Sequence, residues 1–126
     1  MGYRSDVAAA FYVKDVKHFP VLKLWLDENF PMEQLGNCIR WFDRGMMFEE
    51  ENTKWYSDYE DVKAFDAAVD KFLMLVNNDL GVETDAPSFT YEFVRVGESY
   101  DDIETEYAGL DCEWLLGVTR SITCDV

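Results

Sequence analysis

Apolar positions along the chain fall into short runs and stripes that predict alternating strands and helices. Val7 to Val13 (VAAAFYV) is a compact apolar run with β-favouring residues at its end and charge on both sides, which suits a buried strand. His18-Phe19-Pro20 opens a helix, because the N–H that proline lacks has no partner near the first helical position anyway. Val21, Leu22, Trp25 and Leu26 follow at helical spacing. Pro31 restarts the chain, and Gly36-Asn37 stops a brief turn of helix. Cys38 to Phe42 and Met46 to Tyr56 read as two strands around Asp43-Arg44-Gly45, a short connection with glycine last that has the chemistry of a hairpin.

The second helix has the clearest pattern. Val62, Phe65, Val69, Phe72 and Val76 recur at steps of three and four and so line one stripe, with Asp66, Asp70 and Lys71 off it. Asp58 and Asp61 can accept hydrogen bonds from the free N–H groups at its start. Asn77-Asn78-Asp79 and Gly81 end it, and Thr84 to Ser88 is a polar loop. Phe89 to Val96, Ile103 to Tyr107 and Trp114 to Thr123 read as three closing strands, the last with an alternation suited to a sheet packed mainly on one face. This order predicts one α+β domain over residues 1–126, two helices on one face of a mostly antiparallel sheet. A ferredoxin-like split βαβ core with a C-terminal strand extension fits it.

Charge narrows the partners. There are 26 Asp and Glu against 11 Lys and Arg, a formal net charge of −15. Such a surface repels phosphate, which excludes direct nucleic-acid binding through a basic face and docking on anionic lipid. A content of 48% apolar and 16% aromatic residues argues for a packed core rather than disorder. Cys38, Cys112 and Cys124 are odd in number and form no CxxC pair, which fits free thiols in a reducing compartment. No signal-peptide apolar region is present, and the run Phe72 to Val76 is far too short to span a bilayer, so a soluble cytoplasmic protein is expected.

Candidate chemistry is sparse. His18 is the only imidazole, beside Pro20 and without a nucleophile signature near it, and reads as a surface or capping residue. One His and three scattered Cys lack the close ligand pairs of zinc sites, and no phosphate-cradling glycine loop occurs. Carboxylates crowd Glu98, Asp101, Asp102, Glu104 and Glu106, with Asp111 and Glu113 beyond, but not in the order of a calcium loop. No catalytic residue, metal or cofactor is therefore assigned. The acidic runs do suggest a binding face with aromatic anchors: Glu49, Glu50, Glu51, Trp55, Tyr56, Asp58, Tyr59, Glu60, Glu98, Tyr100, Asp101, Asp102 and Glu104. If these share one surface, it resembles a row of phosphates to a basic cleft. Core packing is the competing reading for Trp41 and Trp55, since strands favour aromatics. Arg4, Arg40, Arg95 and Arg120 are expected to pair with neighbouring carboxylates. A strand ending at Val126 can lie at a sheet edge and pair with another copy, so monomer or homodimer is expected.

Three segments carry a resemblance: Met1 to Val7 (MGYRSDV), Lys54 to Val62 (KWYSDYEDV) and Val94 to Glu104 (VRVGESYDDIE). With them the chain resembles a group of small acidic proteins encoded by tailed bacteriophages and prophages. That group comes with no known activity, so the resemblance implies a setting in the bacterial host cytoplasm and no catalytic residues. The chain departs from the group's pattern around Pro20 and Pro31. In that setting the leading expectation is a non-enzymatic accessory protein that binds and inhibits or redirects a host protein with a basic surface, such as a defence or nucleic-acid-processing protein. The alternatives are a small-molecule or nucleotide sponge using Tyr3, Arg4 and Arg95, and a virion or assembly component.

Overall fold

The computed structural model describes residues 4–78, 88–99, 101–109, 112–118 and 122–124. The chain runs β1 (Ser5–Val13), a 3-10 turn (Val16–His18), α1 (Phe19–Asn29), the short α2 (Met32–Leu35), β2 (Ile39–Phe42), β3 (Gly45–Thr53), α3 (Glu60–Asn78), β4 (Phe89–Gly97), β5 (Ile103–Ala108), β6 (Leu116–Val118) and β7 (Ile122–Cys124). β1 to β5 form one sheet in the order β2-β3-β1-β4-β5, every neighbouring pair antiparallel. β1 and β2 therefore run parallel with β3 between them, and β3 and β4 run parallel with β1 between them. That interleaving is the split βαβ order of a ferredoxin-like sheet, extended by β5. The class is α+β.

Alternation along β1 places a core on each side of the sheet. Val7, Ala9, Phe11 and Val13 face the helices, while Ala8, Ala10 and Tyr12 face the opposite way. Phe11 is central on the helix side, its ring 5.7 Å from that of Phe30, 5.2 Å from Phe72 and 5.2 Å from Tyr91. α1 contributes Leu22 and Leu26. α3 contributes the expected stripe, with Val62, Phe65, Val69, Phe72 and Val76 all buried. A side chain at Gly45 would collide with the main chain of Phe11 and Tyr12, so β1 and β3 can approach there only over glycine.

The structure alters three expectations about extent. β3 ends at Thr53 rather than Tyr56, opposite the first residue of its partner β1, Ser5, and a bulge opposite Ser5–Val7 interrupts the ladder just before, where Asn52 takes a φ of 53°. The Asp6 carboxylate receives the Asn52 N–H at 2.8 Å, and Arg4 donates to the Asn52 carbonyl at 3.1 Å. The helical region before β2 holds a second short helix, α2, at the brief turn after Pro31. Finally, Trp114 to Thr123 is not one strand beside the others: β6 and β7 pair with each other as a separate hairpin. Ala8, Ala10, Met47, Val94 and Val96 make the non-helical face apolar, and the hairpin covers it with Leu116 and Ile122. A strand added at the edge would have left that surface in water. Asp79, Gly81, residues 84–87 of the polar loop, Asp111, Arg120 and Val126 lie outside the described residues. Among the described residues no helix is long and apolar enough to cross a membrane.

Candidate functional site: an acidic groove beside the third helix

The helices do not roof the whole five-stranded sheet, and β5 is the strand left beyond α3. The space between α3 and β4–β5 is a groove of about 860 Å³. Phe65, Val69, Tyr91 and Phe93 form its apolar floor, with Trp55 and Tyr56 at one end. Its walls follow from two periodicities. Asp66 and Asp70 are one helical turn apart on the flank of the α3 stripe, and Glu104 and Glu106 are two apart on β5, opposite Arg95 and Phe93 in register. With Asp58 and Asp102, six carboxylates line the groove against the single guanidinium of Arg95 among the described residues.

That guanidinium is already committed. Arg95 donates to Asp102 at 2.7 and 3.2 Å, to Glu104 at 3.0 Å and to the Ser5 hydroxyl at 3.1 Å. The other acids repel one another. Partial burial pushes the Asp66 carboxyl above its ordinary range, with Asp70 and Glu104 adding to the shift. Burial does the same to Glu106, helped by Glu104, Asp70 and Asp66. Tyr91 is 2% exposed and its phenol is pushed well upward, mainly by burial and then by Glu106, Asp66, Glu104 and Asp70. A groove so built favours cationic groups with an apolar stem, which can cover the floor while the charge meets the walls.

The expected binding residues divide. Trp55, Tyr56, Asp58, Asp102 and Glu104 line the groove. Tyr59 packs on Tyr56 at a ring separation of 5.1 Å, and Glu60 is exposed in the first turn of α3. Glu98 accepts the Arg4 main-chain N–H at 2.7 Å, and Asp101 is exposed in the β4–β5 turn. Tyr100 lies outside the described residues. The run Glu49-Glu50-Glu51 does not gather on one surface, because neighbours on a strand point to opposite faces. Glu49, beside Ala8, lies on the hairpin side and bonds Arg40 at 3.2 Å. Glu50, beside Val7, lies on the helix side with one carboxylate oxygen buried and unpaired; Glu51 is exposed.

Sequence reasoning left Asp66, Asp70, Glu106 and Tyr91 out of the binding set. The available signal was the Asp66–Asp70 pair itself: like charges four apart on a helix destabilise it by about 0.2–0.5 kcal/mol. The aromatic and arginine readings sort similarly. Trp55 packs on Phe65 at 5.3 Å and on Phe48 at 5.9 Å, so it is both core and groove, whereas Trp41 rests on Phe19 at 5.9 Å, away from the groove. Arg40 and Arg95 pair with carboxylates as expected. Arg4 instead spends its guanidinium on the Asn52 carbonyl, because the bulge turns that oxygen outward. His18 precedes α1 and makes no side-chain capping bond.

A second carboxylate site serves the hairpin. Glu92 is fully buried on the non-helical face and accepts the Tyr12 hydroxyl at 2.5 Å, Leu115 N–H at 3.0 Å and Leu116 N–H at 2.9 Å. The Tyr12 oxygen in turn accepts Glu113 N–H at 2.7 Å. Trp114 adopts a φ of 55°, which lets its neighbours aim their N–H groups inward while its own side chain stays 62% exposed. Arg44, in the β2–β3 turn, clasps Glu113 with both arms of its guanidinium. Cys38, Cys112 and Cys124 are free thiols. Among the described residues no group of three or more His, Cys, Asp or Glu is placed to hold a metal ion. No family model, curated protein or solved structure matches the chain.

Proposed function

We propose that the chain is a non-enzymatic accessory protein of a bacteriophage that captures a basic region of a host protein and thereby inhibits or redirects it. One observation carries the reading: among the described residues six carboxylates face an apolar floor, and the only guanidinium among them is bound by Asp102 and Glu104. Their mutual repulsion lowers stability and is relieved by a cationic occupant. Charge of this density also speeds encounter with basic partners and turns acidic ones away.

The test compares tagged wild type with the double variant Asp66→Lys, Asp70→Lys, both exposed on α3, in bacterial lysate at low and high salt. The wild type should retain a basic protein at low salt and lose it at high salt, and the variant should lose it at both while melting no lower than the wild type. Equal retention by the two proteins, or no protein held by the wild type, overturns the reading.

A further inference from the structure

We propose that the open edge of β5 accepts an extended segment of the partner as a sixth strand, one that alternates basic with apolar residues. This rests on the acidic-groove reading above and specifies what enters the groove and how. Gly97 N–H donates to the Asp102 carbonyl at 2.8 Å, which fixes the phase of the β4–β5 ladder. Glu104 and Glu106 then turn their main-chain groups toward β4, while Thr105 and Tyr107 turn theirs off the sheet. Ile103 returns its N–H to Asp101 at 3.1 Å. Among the described residues nothing takes the outward groups of Thr105 and Tyr107. Such an edge is a template for an added strand.

Side chains along that edge dictate the guest. On the helix side Glu104 and Glu106 stand at the lip of the groove, and a residue opposite each of them has its Cβ about 4.5–5.5 Å away. Lys or Arg there reaches the carboxylates and the groove behind. Tyr91 is 2% exposed and lines the groove, so it adds to the surface that a guest side chain meets. On the other side Ile103 is 41% exposed, and Tyr107 carries Trp114 against it at a ring separation of 4.3 Å, which favours apolar guest residues. A second copy fits poorly. Antiparallel self-pairing centred on Thr105 sets Glu104 against Glu106, and like charges directly opposite destabilise a sheet.

The experiment uses the full chain and two peptides of about seven residues, a usual strand length: one alternating Val and Lys, the other with the same composition and its Lys in a block. Binding is measured by titration at low salt, and hydrogen exchange is followed at the amides of Thr105 and Tyr107. The alternating peptide should bind roughly tenfold tighter and slow those two amides by a similar factor. Thr105→Pro removes only an outward N–H and should erase that advantage, as should N-methylation of the peptide on its pairing edge. Equal binding of both peptides without amide protection overturns the added strand and leaves the acidic groove standing. No binding of either overturns both. Protection that grows with protein concentration alone, together with a doubled sedimenting mass, assigns the edge to a second copy and overturns the proposal.

Discussion

On the non-helical face Glu92 is the one fully buried carboxylate among the described residues, held by the Tyr12 hydroxyl, two main-chain N–H groups and the Cys112 thiol. On the helical face Asp66, Asp70, Glu104 and Glu106 are exposed and crowd together, and partial burial with the neighbouring like charges raises the proton affinity of Asp66 and Glu106. Burial is deeper at the first site, yet the acid there has four donors, the Cys112 thiol at 3.6 Å among them, and no like-charged neighbour in its bonding shell. What separates structural from binding acid in this molecule is the supply of donors. A buried carboxylate with its donors fixes a segment in place, whereas a crowd of carboxylates short of donors is an unfilled demand for cations.

Three changes probe that contrast. Glu92→Leu should be the most damaging, since it orphans the Tyr12 hydroxyl and the Leu115 and Leu116 N–H groups; a loss of about 3–5 kcal/mol in urea unfolding is expected. Amide exchange should show the segment from Cys112 to Leu116 opening first, and a loss below about 1 kcal/mol means that the hairpin is held mainly by its apolar contacts. Arg44→Ala severs the clasp on Glu113 from the other side. Because the pair is partly exposed, the expected loss is about 1 kcal/mol, read as faster exchange in that segment and around Val13 and Lys14, whose carbonyls Arg44 also meets.

The groove should respond with the opposite sign. Asp66→Asn removes one member of a like-charged pair and should raise stability at neutral pH by about 0.2–0.5 kcal/mol while weakening the binding of Lys-rich peptide. The pH dependence follows from the direction of the shift. Asp66 titrates above its unfolded value of 3.8, so between the two values the folded state holds the extra proton. Stability therefore falls as pH rises through that window, and the full penalty is present at neutral pH. The gain from Asp66→Asn should accordingly be largest near pH 7 and vanish as the pH approaches 3.8. A gain that grows on acidification contradicts the repulsion.

The groove and its counterpart were unequally legible in the sequence. The α3 stripe and the β1 run could be read directly, because each has one period and one consequence: Val62 through Val76 must face a sheet, and Val7 through Val13 must be covered on both sides. The Asp43-Arg44-Gly45 turn was equally plain. Trp114 to Thr123 was not, since its alternation fits a strand inside a sheet and a hairpin lying across one equally well. Glu92 was hidden for the same reason. Flanked by Tyr91 and Phe93 that face the helices, it reads as pointing to solvent unless the hairpin is known to cover that side. Of the acids, Asp58, Asp102 and Glu104 were chosen from their local density, but Asp66, Asp70 and Glu106 become neighbours only because β5 extends past the helix. That is a matter of sheet width, which no local pattern encodes.

The place of β1 has a consequence for how the protein is made. Ser5–Val13 precedes every other strand, yet it sits in the middle of the sheet and is paired on one side by β3 and on the other by β4, which follows α3. During synthesis the most apolar strand leaves the ribosome long before its second partner. Its β4-facing edge must wait unpaired while α1, the β2–β3 hairpin and α3 are translated. Closure of the sheet is thus a late, long-range event, and it sets the interval in which the nascent chain is most exposed to aggregation and to chaperone capture.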